Sequence, residues 1–576
     1  MEGKTISLDG TSFLKNRFFA LFGTATGSVV VMLLVLLADT FIVGRFVGAA
    51  GVAAINIVSP IIGVSSFFAL IFGSGTGYVY SRLIGEFKKD EADRVFGQGL
   101  ITVTVFTVIM FLAFTILRDP YLKFMGLSDE VLTETLHYWR FEKYVLLLYP
   151  INYLLTETVY MDGDEWISNL ANAALIIGNV VLSFIFSSLL GSSGASLGSL
   201  IGTALCTLIL ALHLLRRSNT LRARWSFRGW VFRETVSLAI TDATPYFCWS
   251  VLDLVLSKMV INLYSDAYLP VLTMVINILE LTLVFDGIGE AMSPLAEVYM
   301  GEGNYAGEKE LAKHGFRIAV IEGFLALETV FIFAPLFASL YGIAGTELIP
   351  EAVRAVRIFS LSMPFASLLF LFTSQYRLMR KIGLSVAITF CAQLLFTLLF
   401  ACFLIGPFGL VGIWCSFLFA YSAAMLVFGA VLYFRFRKSH FPWLCPDDEC
   451  DYLNCSFILS RQNVMAVCDA FSAYLKERKV PKAVIARINL LIEETGTLAF
   501  ENNRMRESMA EYTVGIENDG VFLITRDTGE QSDMTKTDGD LEDIQRLVVK
   551  ELMNHTGEKQ YLTTVGFNRC YYKIAF

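Results

Sequence analysis

FFALFGTATGSVVVMLLVLLADT, residues 18–40, is the stretch on which the fold turns: nothing charged occurs in it until Asp39. An apolar run of about 20 residues crosses a bilayer as a helix. In hydrocarbon no backbone N–H or C=O stays unpaired, which leaves only helices and closed barrels. The run is too long for a barrel strand and lacks period-two alternation, so it reads as a helix. Comparable runs follow near 54–81, 98–117, 141–161, 166–190, 195–215, 234–263, 268–293, 315–341, 353–377, 382–405 and 409–434. Of the 576 residues 55% are hydrophobic, 48 are Phe and only 17% are charged, against about 25% charged in soluble proteins. The charges gather after Phe436, where the composition becomes that of a soluble domain.

Lys and Arg set the orientation. They cluster after the second run (Arg82, Lys88, Lys89, Arg94), after the sixth (Arg216, Arg217, Arg222, Arg224, Arg228, Arg233), and again after the eighth, tenth and twelfth. Basic loops stay in the cytosol, so both termini are expected there, with the protein in the cell membrane. Residues 1–17 are polar and the first run exceeds a signal h-region, so the first helix is expected to remain as an anchor. Leu83-Ile84-Gly85-Glu86 closes the second run. Tyr299-Met300-Gly301-Glu302 closes the eighth, and Asp39 and Asp253 sit at nearly the same offset. Six crossings per half give both halves one orientation, related by an axis along the membrane normal. The expected fold is an all-α polytopic membrane protein with twelve transmembrane helices in two six-helix lobes, residues 1–220 and 221–439. A small cytosolic α+β domain, 440–576, follows. The net charge of −8 argues against nucleic acid as a partner. The ten Cys form no disulfide framework. No G-x-x-x-x-G-K-[ST] loop occurs, which argues against a self-contained ATP-driven pump.

Acids inside the apolar runs are the functional candidates. A carboxylate in a transmembrane helix costs at least ~2.5 kcal/mol and marks function by default. Asp39 suits a group that trades its charge with a proton, and as a hard oxygen donor it equally suits Na⁺. The plainer alternative is a helix-end Asp wetted by outside water. The second half offers Asp253 in the seventh run, and Asn277, Glu280, Asp286 and Glu290 in the eighth. Asp286, Glu290 and Glu297 share a helical face. An acidic cleft between the lobes would attract an organic cation, with Phe and Tyr offering cation–π contacts. Glu290 and Glu297 also read as charges at the wet cytosolic end of the helix, and Glu322 and Glu328 are weaker candidates. Gly44 with Gly48, and Gly73 with Gly77, have the spacing of helix-packing glycines. Lys258 is expected to snorkel to the outer surface. His440, Cys445, Cys450 and Cys455 recur every five residues. A zinc site there is weighed and set aside, because C-x-x-C is absent and Asp447-Asp448-Glu449 reads as linker. No cofactor is expected.

The segment Asp39-Thr-Phe-Ile-Val-Gly44-Arg45-Phe-Val-Gly48, Pro60, Ser81-Arg-Leu-Ile-Gly85-Glu86 and the loop Gly301-Glu-Gly-Asn304 resemble the multidrug and toxic compound extrusion (MATE) transporters over residues 12–438. The resemblance implies a V-shaped pair of six-helix lobes that exports organic, usually cationic, compounds against sodium ions or protons. It also implies an ion site of Asp39 with Asn179 and, one turn later, a second Asp. Ser183 stands at that place, so the site loses a charge, which tilts the reading from Na⁺ toward H⁺. Asn152 and Ser199 are candidate oxygen donors. For Asn179 and Ser183, plain interhelical hydrogen bonding is the competing reading.

Residues 456–576 are similar to the histidine-kinase-type ATPase fold in its small anti-sigma-factor form. Glu493-Glu494 lies on a helix, Asp527-Thr-Gly529 follows a strand, and Tyr561-Leu-Thr-Thr-Val-Gly566-Phe-Asn568 lies near the end. The resemblance implies a nucleotide site at Glu494, Asp527 and Gly529. Leu498 stands where that family holds magnesium with an Asn, and Gly539-Asp-Leu-Glu-Asp-Ile lacks paired glycines, so weak nucleotide binding or none is expected.

The expected function is secondary active efflux of an organic cation coupled to H⁺ or Na⁺ by a non-enzymatic, monomeric protein. Its partners would be membrane lipid and a possible cytosolic protein at the tail. The alternatives are a lipid-linked precursor flippase of the same superfold, which needs cationic residues in the cleft, and a membrane-anchored sensor acting through the tail.

Overall fold

A computed structural model describes residues 4–8, 12–85, 88–162, 165–216, 219, 221–341, 343, 345–446, 451–503, 507–517, 519–530, 544–564 and 567–576. The first half contributes α1 (Phe13–Phe46), α2 (Ala49–Gly85), α3 (Lys89–Ile116), the short α4 (Arg118–Met125), α5 (Asp129–Met161), α6 (Glu165–Leu190) and α7 (Ser192–Leu214). The second contributes α8 (Gly229–Leu263), α9 (Leu269–Leu281), α10 (Asp286–Gly301), α11 (Tyr305–Leu340), α12 (Ile349–Ser360), α13 (Met363–Leu378), α14 (Ile382–Phe390), α15 (Phe396–Phe408) and α16 (Leu410–His440). Among the described residues nine helical segments are long and apolar enough to cross a membrane, or ten with the bent pair α12–α13. On α3, Val105, Val108, Ile109, Leu112 and Ile116 are all exposed. Their helical spacing makes one bare apolar stripe, the surface that lipid covers.

The apolar runs mark where helices lie, and polar side chains and proline mark where they break. The run at 268–293 becomes α9 and α10 with a 3₁₀ turn, Thr282–Phe285, between them. There the Thr282 hydroxyl donates to the Leu279 carbonyl at 2.6 Å, a local bond that competes with the helix ladder. The run at 353–377 becomes α12 and α13, bent by 44°. Pro364 in the first turn of α13 disfavours helical geometry in the residue before it. A π turn, Cys391–Leu395, joins α14 to α15. Gly48 has φ +90° between α1 and α2, and a β-carbon there would meet nothing within 4 Å. It therefore supplies a left-handed turn rather than the packing contact its spacing suggested. Gly73, by contrast, lies against Tyr153 and Leu154 of α5. Lys258 donates to the Met125 carbonyl at 3.0 Å, so it caps the C-terminus of α4, where a cation is favoured.

The chain forms two compact units, residues 26–287 with 318–438, and residues 1–25, 288–317 and 439–576. The second unit contains a six-stranded sheet of β1 (Lys4–Ser7), β2 (Asp451–Ile458), β3 (Met509–Glu517), β4 (Gly520–Asp527), β5 (Gly557–Thr564) and β6 (Phe567–Ala575), ordered β1-β2-β3-β4-β6-β5. β1 comes from the other end of the chain and pairs parallel to β2, Lys4 opposite Leu453. α17 (Arg461–Glu477), α18 (Lys482–Asn502) and α19 (Ile544–Thr556) complete the unit.

Both faces of the central strands β2, β3 and β4 are buried. Alternate residues Leu453, Cys455, Phe457, Tyr512, Val514, Val521, Leu523, Tyr572 and Ile574 share a core with Val467, Phe471, Ile488 and Ile492 of the helices. The opposite residues Tyr452, Phe522 and Ile524 pack with Tyr571 and with Ala306 of α11. That face also carries Glu511 and Arg526, whose side chains are 3% and 0% exposed. It receives the segment between α10 and α11. Arg526 pairs with Glu302 and with Glu511 at 2.7 Å. Arg569 pairs with Glu302 at 2.7 Å. The Tyr299 hydroxyl donates to Glu511 at 2.6 Å, and the Tyr452 hydroxyl donates to Asn304 at 2.6 Å. Glu302 and Asn304, from the loop that resembles the family's second-half motif, thus belong to the sheet's buried polar face.

Candidate functional site

Asp39 lies in α1, seven residues before its end. Its Oδ2 accepts from the Ser199 hydroxyl at 2.8 Å, and Asn179 Nδ2 donates to that same hydroxyl at 2.9 Å. The Ser183 hydroxyl, one turn beyond Asn179, donates to the Ala195 carbonyl at 2.9 Å. Three helices, α1, α6 and α7, therefore bring together four of the five ion-site candidates. Asp39 Oδ1 and Asn179 Oδ1 are sealed from solvent without a hydrogen-bond partner, so oxygen lone pairs are left over at the centre of the cluster. Two oxygens and two hydroxyls in a dry pocket fit a proton on the carboxylate or a small hard cation. Asn152 goes elsewhere: it donates to the Thr203 carbonyl at 2.9 Å and accepts from Thr207 at 2.7 Å, which ties α5 to α7.

Close helix packing creates the cluster. Gly194, Gly198 and Gly202 form a bare stripe on α7. A β-carbon at Gly198 would overlap the backbone and hydroxyl of Ser183, and one at Gly202 would lie 2.8 Å from Asn179 N. Small residues at such spacing let membrane helices approach. Gly198→Ala is therefore expected to part α6 from α7 and cost about 1–3 kcal/mol by overpacking. Gly383→Ala, where a β-carbon meets nothing within 4 Å, should be neutral. Thermal unfolding of the two purified variants measures the difference.

The acids of the second half do not gather at one point. Asp253 is 1% exposed. Its Oδ1 accepts from Asn56 Nδ2 at 2.9 Å and from the Ser257 hydroxyl at 3.2 Å, so it joins α2 to α8. Glu280 lies near enough to Asp253 for their charges to interact. Asp286 accepts from the Ser374 hydroxyl at 3.3 Å. Asn277 donates to Thr40 at 3.3 Å, the residue after Asp39. Glu290, Glu297 and Glu328 are exposed. The sequence reading passed over Asp242, which accepts from Arg377 at 2.7 Å and from the Tyr78 hydroxyl at 3.0 Å. It also passed over Glu142, 4% exposed within α5. The fourth apolar run begins at residue 141, whereas α5 begins at Asp129 and leaves Glu142 well inside the helix.

In the sheet-bearing unit Asp527 is 6% exposed and accepts from Gly529 N at 2.9 Å and from Asn568 Nδ2 at 3.0 Å. It closes its own turn, as Asp side chains do two residues on. Burial raises its pKa, opposed by the Asn568 and Gly529 hydrogen bonds. The Asn503 amide fills the space a β-carbon of Gly529 would need. Glu494 is half-buried on α18, and residues 539–543 and 565–566 lie outside the described residues. Of the weighed zinc ligands, Cys455 sits in the sheet core, where burial pushes its thiol up to about 12. Cys445 contacts Glu308. Cys450 and the side chain of His440 lie outside the described residues.

Among the described residues nine helical segments are long and apolar enough to cross a membrane, and the first helix of the chain carries an oxygen-lined polar cluster. The MatE family model matches residues 25–185 and 244–403, one segment in each half and together more than half of the chain, so the chain belongs to the MatE family of transporters. It is a multi-pass membrane protein and, as in that family, a secondary transporter rather than an enzyme. It is similar to an inward-facing multidrug-resistance MATE transporter of the MOP superfamily (TM-score 0.64, 20% identity, covering 70% of this chain and 94% of the other). An outward-facing form of such a transporter is also similar (TM-score 0.58, 20% identity, 72% and 94%). A third likeness is a MOP-superfamily transporter from Pyrococcus furiosus whose reversed binding-pocket polarity suggests a different function (TM-score 0.60, 20% identity, 74% and 96%). No curated protein matches the sequence.

Proposed function

We propose that the chain is an antiporter that exports organic cations through twelve crossings in two six-helix lobes, driven by inward H⁺ or Na⁺. α1 and α5, 34 and 33 residues long, complete the twelve. The observation that carries the reading is the Asp39 cluster: an unpartnered carboxylate oxygen beside Asn179 and two serine hydroxyls, sealed in a membrane helix bundle. Loading a cation there neutralises the carboxylate and draws α1, α6 and α7 onto it. Unloading leaves a bare charge that favours a different packing, and the alternation releases substrate on the far side. Asp253, Glu280 and Asp286 give the second half an acidic interior suited to a cationic substrate.

The flippase alternative requires free cationic groups for a pyrophosphate. Arg377 is instead held by Asp242 at 2.7 Å, which favours the antiporter. The tail acts as a regulatory module of degenerate nucleotide-binding type, facing the cytosol with both termini. Its grip on Glu302 and Asn304 supports a role in controlling the transporter, and the self-closed Asp527 turn supports weak nucleotide binding.

The test is uptake of a fluorescent organic cation into everted vesicles under an imposed proton or sodium gradient. Uptake under one gradient establishes antiport and names the ion. Silence under both rejects the proposal in favour of the flippase or the sensor.

A further inference from the structure

The α5 residues Glu134, Tyr138, Glu142 and Leu146 recur at four-residue spacing and so share one helical face. That face is anchored on both sides of Glu142. Glu134 accepts from the Ser192 hydroxyl at the start of α7, at 2.6 Å. Tyr138 and Leu146 lie in one buried cluster with Val43 of α1 and Ala195 of α7. Val43 is one turn past Asp39. Ala195 is one turn before Ser199, and its carbonyl accepts from both Ser183 and Ser199. The face of α5 that carries Glu142 therefore packs on the turns of α1 and α7 that build the ion site.

Glu142 itself is 4% exposed, and the Tyr138 hydroxyl donates to its carboxylate. Its Oε2 is buried without any partner, and among the described residues no basic group pairs with it. A structural buried carboxylate is normally paired or fully hydrogen-bonded, and this one is neither. Its charge and that of Asp39 act on one another. Ser183, meanwhile, offers only a hydroxyl on the Asn179 face of α6.

We propose that Glu142 is the second carboxylate of the coupling site, supplying from α5 the negative charge and oxygen donor that the Ser183 position of α6 lacks. The cation is then met by Asp39 from α1 and Glu142 from α5, with Asn179 and Ser199 completing the oxygens. The two carboxylates repel while the site is empty and are drawn together when a cation lies between them, so loading tightens α5 against α1. This inference deepens the antiporter reading and rests on the Asp39 site.

The test uses the full chain in proteoliposomes. Glu142→Gln is expected to lower gradient-driven export of the fluorescent cation by roughly tenfold or more, as for a functional intramembrane acid. Adding Ser183→Asp to that variant returns a carboxylate to the site and is expected to restore export. Absence of rescue in a double variant that melts at the temperature of Glu142→Gln would assign Glu142 a structural role and overturn the proposal. Infrared difference spectra between sodium-free and sodium buffer, and between acid and neutral buffer, read the carboxyl groups without any transport. A responding band should disappear in Glu142→Gln, and another in Asp39→Asn. An Asp39 band without a Glu142 band overturns this inference and leaves the Asp39 site standing. Both bands without export in the wild type uphold Glu142 and reject the antiporter.

Discussion

Asp39→Asn should reduce gradient-driven export to background while the protein inserts, folds and melts at the wild-type temperature or slightly above it. The amide can take the Ser199 hydrogen bond that Oδ2 now accepts at 2.8 Å, so the packing of α1 on α7 keeps its local partner. What the amide lacks is the charge and the ability to hold a proton. On insertion scales an Asp at the helix centre costs ~2.5–3.5 kcal/mol, so neutralising it relieves insertion instead of burdening it. Loss of export with stability kept separates a coupling group from a structural one. Export in vesicles and thermal unfolding in detergent are measured on the same preparation, and export that persists under either gradient rejects Asp39 as the coupling residue.

Arg526→Ala should be the most destabilising single change in the sheet-bearing unit, at about 3–5 kcal/mol for a buried pair broken from one side. The Arg526 side chain is 0% exposed, with Glu302 at 2% and Glu511 at 3%. Removing the guanidinium strands Glu511 in a dry site with only the Tyr299 and Ser456 hydroxyls. Glu302 keeps Arg569. Replacing two together, as Arg526→Met with Glu511→Gln, removes both charges while Glu302 keeps Arg569, and should cost less than Arg526→Ala, because no unpaired buried charge remains. Thermal unfolding of both variants decides it: a double variant less stable than Arg526→Ala would mean the network itself contributes the stability. Cleavage after Glu302, between α10 and α11, by a glutamate-specific protease should accelerate in Arg526→Ala, since the Glu302 segment loses a partner on the sheet.

Much of this was legible in residue types. Runs without charge read as membrane helices because hydrocarbon tolerates nothing else, and the family match covers both halves. Asp39 stood out because one acid in an apolar run has few reasons to be there. Glu142 did not, because its helix starts twelve residues before the apolar run does, in a polar stretch that only the fold carries inward. The breaks within single apolar runs, at Thr282–Phe285 and before Pro364, were equally invisible to hydropathy, which counts apolarity and not backbone bonds.

The sequence alone determined the chemistry available: which crossings are apolar, which acids they carry, and where glycine leaves room. Only tertiary structure decided the company those groups keep. Asp39 meets Ser199 from α7 across 160 residues, and Arg526 meets Glu302 across 224. A helix or strand pattern specifies which face is buried, but the partner opposite that face is set by the packing of other elements. Asp253 shows the difference: it sits at nearly the same offset as Asp39, yet packing against α2 gives it Asn56 beside Ser257 of its own helix, in place of Ser199 of α7 backed by Asn179 of α6.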